Sequence, residues 1–345
     1  MSTVTDWTSE EGITDEEKIY YYRRAGQIGY EVLNSVKGMI KPGVPVIQIC
    51  ETAEEMILQK GADGFGFPTN VSINNIAAHY SSPYGDESVI PDEGSIKLDI
   101  GIHCNGYIAD TATTIILSPE LKELKIAAEE GFKAGMEIIQ AGTLPSVVGK
   151  QIEETIASYG YRPIRELTGH KLGRYELHGD KRLPNISSPY DPVEGALDVG
   201  EAYALETFAS SGTGSIHEVV GTKTIYMLLP RRIPLRNPIS RKIYSTAYKK
   251  YKTLPFAERW LTSYDDFNRA RVRFALRELL NGGGVLAYPP LADEKGSYVA
   301  QHEHTFIITK NDGVIITTQP PFDFEIPESL QEKSDTVFEE EEEEE

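Results

Sequence analysis

Residues 98–112 read Leu-Asp-Ile-Gly-Ile-His-Cys-Asn-Gly-Tyr-Ile-Ala-Asp-Thr-Ala, from Leu98 to Ala112, and the architecture of the chain can be worked out from them. Asn105-Gly106 sits between two apolar alternating runs, and both residues tolerate the positive φ that a type I′ turn demands, so the stretch predicts a tight β-hairpin. If Cys104 pairs with Tyr107, Asp110 falls opposite Gly101 and Asp99 opposite Ala112. Side chains alternate between faces with period two, which puts Asp99, Gly101, Asp110 and Ala112 on one face, the carboxylates roughly 7–8 Å apart as diagonal neighbours. Small Gly101 and Ala112 leave room between them. Two like charges on a desolvated strand face cost free energy unless a cation lies between them; a solvated sheet face is the plain alternative.

An internal repeat widens this picture. Gly43, Glu54, Glu55, Ile57, Gly61, Thr69 and His79 recur 99 positions later as Gly142, Glu153, Glu154, Ile156, Gly160, Thr168 and His178. Asp92, Gly94, Leu98 and Asp99 return as Asp198, Gly200, Leu205 and Glu206, with the offset slipped by seven or eight. Each half therefore reads as a helix, a glycine-ended turn, a strand carrying a histidine, an Asp-x-Gly turn and a strand ending in a carboxylate. Two homologous α/β halves are expected to face each other. A long helix opens the first: Thr14 followed by Glu17 is a capping-box signal, and Ile19, Tyr22, Ala25, Ile28, Val32 and Val36 continue with helical spacing from about Asp15.

Composition sets outer bounds. A chain of 345 residues with 40% hydrophobic content can build two or three structural units and a sizeable core. No stretch has the eighteen or more apolar residues of a membrane span, and the first thirty residues lack a signal-peptide pattern, so a soluble cytoplasmic protein is expected. Two cysteines, Cys50 and Cys104, make no disulfide framework. The net charge is -19; seven consecutive glutamates, Glu339 to Glu345, carry seven of those charges and leave -12 on the rest. That balance argues against global affinity for nucleic acid or anionic membranes. Residues 1–14 are expected to be a flexible N-terminus, residues 15–327 the folded body, and residues 328–345 a disordered acidic tail.

The repeat supplies Glu206 at the place of Asp99, with Ala202 and Ala204 beside it, and the strand around 298–309 supplies Glu303. Four carboxylates and one or two histidines are thus expected to converge. Such a set is hard to borderline in ligand character and suits Mn²⁺, Fe²⁺, Co²⁺ or Zn²⁺, with two ions fitting four carboxylates better than one. Two such ions about 3.5–4 Å apart can share a hydroxide nucleophile, and amide hydrolysis is the natural chemistry. His302 and His304 alternate to the face opposite Glu303 and receive no ligand role, and His103 and His217 stay structural.

The motifs Asp99-Ile-Gly…Asn-Gly…Ile-Ala-Asp110, Gly169-His-Lys-Leu-Gly-Arg-Tyr-Glu-Leu-His178, Glu206-Thr-Phe and Gln301-His-Glu303-His resemble those of type II methionine aminopeptidases, from about residue 15 to 318. The resemblance implies the pita-bread fold, an α+β architecture in which a pseudo-twofold pair of α/β halves surrounds a central antiparallel sheet. It implies removal of the initiator methionine from new polypeptides, before a small second residue, with a metal-bridged water as nucleophile. By matching motif, Asp99, Asp110, His170, Glu206 and Glu303 look like ligands of two divalent metal ions, and Glu206 like the proton shuttle. His79 and His178 would flank the scissile amide, the first contacting its nitrogen and the second its carbonyl oxygen. Phe67, Leu177 and Tyr288 would line the slot for the methionine side chain. Where relatives place a histidine near that slot, this chain has Thr224 or Ile225.

Residues 223–290 read as a helical insertion, notably 267–280 with Val272, Ala275, Leu276 and Leu279 in helical register. From Lys223 to Lys252 there are nine Lys or Arg and no Asp or Glu, with Tyr226, Tyr244, Tyr248 and Tyr251 interleaved. One reading is a solvated basic helix face; the other is docking on ribosomal RNA near emerging chains. Two functional alternatives share the scaffold: a proline-specific aminopeptidase or prolidase with the same ligands, and a non-catalytic RNA- or ribosome-binding protein that has lost them. All five ligand positions are filled, which favours the enzyme, and a monomer is expected.

Overall fold

The computed structural model describes residues 6–187, 195–221, 223–229, 233–262 and 267–331. The acidic tail from 332 onward, the first five residues, and Arg231 and Arg232 of the basic run lie outside the described residues. The first half runs α1 (Asp15–Val36), α2 (Val46–Gln59), β1 (Gly64–Ile73), β2 (Ile76–Ala78), β3 (Ser95–Cys104) and β4 (Tyr107–Ile116). The second runs α3 (Lys122–Ile138), α4 (Pro145–Ser158), β5 (Arg162–Pro163), β6 (Thr168–Leu172), β7 (Arg182–Pro184), β8 (Ala202–Ser210) and β9 (His217–Glu218). Then follow β10 (Ile225–Leu228), α5 (Pro238–Tyr251), β11 (Phe256–Ala257), α6 (Glu258–Leu261), α7 (Arg269–Asn281) and β12 (Val285–Tyr288), and the chain returns through β13 (Leu291–Ala292), β14 (Val299–Ile308) and β15 (Val314–Ile316).

Local chemistry explains the element ends. Thr14 and Glu17 form the capping box at the start of α1, and Tyr22, Ala25, Ile28, Val32 and Val36 make its buried face. Helices α2 and α4 begin and end 99 positions apart, as the repeat requires, and each is followed by a glycine at positive φ, Gly61 and Gly160. The hairpin forms in the expected register, with Cys104 opposite Tyr107, Gly101 opposite Asp110 and Asp99 opposite Ala112.

The main sheet is antiparallel, with strands in the order β1-β3-β4-β14-β8-β6-β7. Its centre mirrors itself, β1-β3-β4 against β6-β8-β14, and this is the tertiary form of the sequence repeat. Helices cover one face. Leu98, Ile100 and Ile102 of β3 pack on α1 and α2, while Tyr203 and Leu205 of β8, with Phe306 of β14, pack on α3 and α4. Strand parity then sends Asp99, Glu206 and Glu303 to the other face.

Three sequence expectations need correction. The insertion is not purely helical: β10, β11 and β12 form a three-stranded sheet inside it, and Tyr226, Leu228, Phe256 and Val285 join Val272, Ala275 and Leu276 in its core. Strands of two to four residues whose partners lie 30 or 60 positions away leave no local period to read. The N-terminal segment is tied down from residue 6, because Trp7 packs against Tyr175 and Tyr248 and Arg174 bonds the carbonyl of Ser9. The tyrosines of the basic run serve the insertion core: Tyr226 is buried and Tyr244, Tyr248 and Tyr251 pack against it.

Candidate metal centre and substrate pocket

Five strands deliver five side chains to one floor. Asp99 comes from β3, Asp110 from β4, His170 from β6, Glu206 from β8 and Glu303 from β14, and all five line a single pocket. Glu303 pairs with Glu206 across β14–β8 and with Ala112 across β14–β4, so it sits between the two halves. Ligand atoms of Asp110, His170 and Glu303 lie within 4.8 Å of one another, and His170 Nε2 is 3.6 Å from Asp110 Oδ2. These three are buried, whereas Asp99 and Glu206 are half-buried.

Charge placed this way is costly. Burial pushes the Asp99 carboxyl up to about 7, against a hydrogen bond from Gln301 that lowers it. Burial, then Asp99 and Glu206, hold Asp110 well above the carboxylate range. Glu206 and Glu303 rise for the same two reasons. Asp99 Oδ1 and Asp110 Oδ1 have no hydrogen-bond partner although they are inaccessible to solvent. Orphaned carboxylate oxygens beside an imidazole are what a divalent cation satisfies, so this donor set fits the ions implied by the resemblance. The backbone is fixed from behind: Thr305 Oγ1 both receives the Asp110 N–H (2.8 Å) and donates to its carbonyl (2.9 Å), and Gln301 Nε2 donates to Glu303 Oε2 (3.0 Å). The roles of Gln301 and Thr305 escaped the sequence reading. Their only signal was parity with Glu303 along β14.

The two repeat-related histidines do meet at the pocket, but from the segments just after β2 and β6 and not from within strands. His79 follows β2 with φ +65, a left-handed conformation costly for a non-glycine residue, and His178 lies in a bend after β6. The two rings flank Tyr288, at 5.5 Å and 6.2 Å between centroids, and His178 also touches His170 at 4.4 Å. Burial lowers His79 and His178 to about 4, so both are neutral at pH 7.

Phe67, Leu177 and Tyr288 line the same cavity, together with Ala78, Leu167, Ile225 and Pro255. Of the two candidate positions in the insertion, Ile225 faces the pocket, while Thr224 turns its hydroxyl to the Ser81 carbonyl. Gly101 does not leave space for an ion: a Cβ there would stand 2.4 Å from the Phe67 ring, so the glycine exists to seat that ring against the sheet. Asn70, opposite Asp99 on β1, is a buried pocket residue whose Oδ1 is unpartnered, and nothing in its sequence neighbourhood marked it. His302 and His304 pack on Phe132 of α3, His103 on Tyr175, and His217 is exposed on β9; none enters the pocket.

Comparison with known proteins agrees with this geometry. The profile of metallopeptidase family M24 matches residues 21–310. A methionine aminopeptidase of Thermococcus onnurineus is 40% identical over 295 residues, covering 86% of this chain and 97% of the relative. Among solved structures, a thermophilic Arx1 superposes with a TM-score of 0.77 at 22% identity, over 91% of this chain and 97% of that one. A methionine aminopeptidase from Thermotoga maritima gives 0.61 at 22% identity, over 89% and 99%. At such identities these structures speak to the fold alone, which is the pita-bread fold. By profile and by sequence identity along most of its length, the chain belongs to metallopeptidase family M24.

Proposed function

We infer that this protein is a methionine aminopeptidase of the type II group, which removes the initiator methionine from new polypeptides. The observation that carries the reading is the convergence of four carboxylates and an imidazole on the floor of a pocket whose walls are apolar. Asp99, Asp110, His170, Glu206 and Glu303 would hold two divalent cations, because two dications balance four carboxylates; cobalt, manganese, iron or zinc suit the donor set. Such ions, when bound, supply Lewis-acid polarisation of a carbonyl and a water acidic enough to deprotonate near neutral pH. The chain's own residues do the rest. Glu206 accepts a proton at its carboxylate and passes it to the departing amine. His178 donates a hydrogen bond to the scissile carbonyl oxygen and His79 contacts the amide nitrogen, both as neutral rings that add no charge to the site. Phe67, Leu177, Tyr288 and Ile225 exclude water around the methionine side chain.

Metal-loaded protein is expected to hydrolyse Met-Ala-Ser and to leave Xaa-Pro peptides intact, each ion being tested after reconstitution. Cleavage of Xaa-Pro substrates without Met-Ala-Ser would move the protein to the prolidase reading. A cytoplasmic monomer acting on emerging chains goes with this function; among the described residues no helix is long and apolar enough to cross a membrane. Exposed Arg241, Lys242, Lys249 and Lys250 on α5 support a salt-dependent contact with ribosomal RNA, although the neighbouring tyrosines are committed to the core. Cosedimentation with ribosomes at low salt, lost as salt is raised, is the expected result; none at low salt would remove the contact.

A further inference from the structure

The insertion does more than cover the pocket. At one end of residues 252–260, Lys252 adopts φ +55 and donates its ammonium to the Tyr175 hydroxyl (2.5 Å), lying 3.8 Å from the Tyr175 ring centroid and 5.0 Å from that of Trp7. Thr253 Oγ1 donates to the Tyr175 carbonyl (2.5 Å). Tyr175 itself has φ +52 and stands just before Leu177 and His178, the pocket residues of the second half. At the other end Arg259 is buried and reaches three groups of the first half: the Glu54 carboxylate, Ser81 Oγ (2.7 Å) and the Ser82 carbonyl (3.3 Å). Trp260 Nε1 donates to Glu54 Oε2 (2.7 Å), and Glu54 Oε1 receives the Thr69 N–H (3.2 Å). Thr69 stands between the pocket residues Phe67 and Asn70, and Ser81 lies two residues beyond His79. Between the two anchors, Pro255 lines the pocket and Phe256–Ala257 pairs with Tyr226 and Ile225, which aims Ile225 inward.

We propose that residues 252–260 are a tie that fixes the distance between the pocket's two walls, with Arg259 as a positioning residue that acts through Glu54, Ser81 and Ser82. A buried ion pair is a poor stabiliser, since apolar side chains of similar size hold a fold as well or better. What such a pair supplies is direction: a planar guanidinium bonded to three fixed acceptors holds the Ser81–Ser82 segment and, through Glu54, the Thr69 amide. Glu54 is the repeat counterpart of Glu153, which receives the Ser187 N–H, so each half uses this glutamate on its own backbone, and among the described residues the arginine is added in the first half. Loss of the tie would loosen Phe67 and His79 against Leu177 and His178, and weaken substrate capture without disturbing the metal ligands on the sheet below.

The proposal rests on the aminopeptidase reading, and its test keeps the two apart. R259M, R259K and the double variant E54M/R259M are prepared in the full chain, loaded with metal and assayed on Met-Ala-Ser. Metal binding is measured by calorimetry, and amide exchange is followed at Thr69 and residues 79–82. In R259M and in the double variant KM is expected to rise about tenfold, with kcat falling by a smaller factor because His79 and His178 loosen along with the apolar wall. R259K should fall between them and wild type, because a single ammonium nitrogen lacks the planar fork that serves Ser81 and Ser82 from one nitrogen and Glu54 from the other. Metal stoichiometry should not change, and the Thr69 amide should exchange faster in the double variant. That variant leaves no buried charge unpaired, so it carries the test if R259M does not fold. A KM in the double variant within about twofold of wild type, or a loss confined to kcat, overturns the tie. If wild type does not cleave methionine peptides the aminopeptidase reading falls by itself, and unchanged exchange at Thr69 and 79–82 in the double variant then overturns the tie.

Discussion

Replacing Asp110 with asparagine is expected to lower kcat/KM on Met-Ala-Ser by about a thousandfold or more, roughly 4 kcal/mol of transition-state stabilisation, while the fold persists. Asparagine matches aspartate in size and can keep the backbone bonds to Thr305, so β4 and β14 stay joined. What it loses is an anionic side chain at the point where β4 faces His170 at 3.6 Å and Glu303 across the halves. Calorimetric titration with divalent ions should show weakened binding in the same variant, and circular dichroism should show an unchanged spectrum. Activity within about tenfold of wild type would take Asp110 out of the proposed ligand set.

The same substitution should stabilise the metal-free protein, increasingly so as pH rises. A buried carboxyl held well above its unfolded value of about 3.9 keeps its proton in the folded state and releases it on unfolding. The folded state therefore binds more protons, and stability falls as pH climbs from the unfolded pKa toward the folded one. Asp99, pushed up to about 7, and Glu206 and Glu303 act in the same direction, and each relieves the others when it is removed. Lys97 and the buried histidines away from Asp110 are shifted down and act in the opposite sense, but they are common to both proteins and cancel in the difference, whereas His170, 3.6 Å from Asp110, loses a carboxylate neighbour in D110N. Thermal melts of chelated D110N and chelated wild type should thus differ least near pH 4 and separate further by pH 8, with D110N higher. Saturating divalent ion should reverse the order at pH 8, since an ion at a hundred times its Kd adds about 2.7 kcal/mol to the protein that binds it. A Tm difference that is flat or shrinks with pH would mean that the four carboxylates do not burden the folded state.

Much of this site could be read before any coordinate was known. The Asn105-Gly106 turn set the hairpin register, and that register put Asp99 and Asp110 on one face; the repeat named Glu206, and period two along β14 separated Glu303 from His302 and His304. Each inference spans a few residues or compares two stretches, and φ preference and side-chain alternation act at that range. Asn70 and Pro255 gave no such sign, because they are ordinary side chains brought to the pocket by a bulge in β1 and by the anchored segment of the insertion, and the choice of Ile225 over Thr224 waited on the pairing of β10 with β11 and β12. The interleaved tyrosines of the basic run misled for a related reason: Tyr244, Tyr248 and Tyr251 share one face of α5 and Tyr226 sits on β10, and composition does not say which way a face turns.

Sequence alone therefore determined the main helices and strands of the two halves, the doubling of the chain and the residue types able to bind a cation, since these follow from local stereochemistry and from repetition. Only the tertiary structure decided that five strands meet over one floor, that its carboxylates lie in a largely buried and mutually repelling group, and that Arg259 of the insertion reaches Glu54 across 205 positions. Desolvation and Coulomb energy depend on distances between atoms far apart along the chain, and packing of the two halves and the insertion sets those distances.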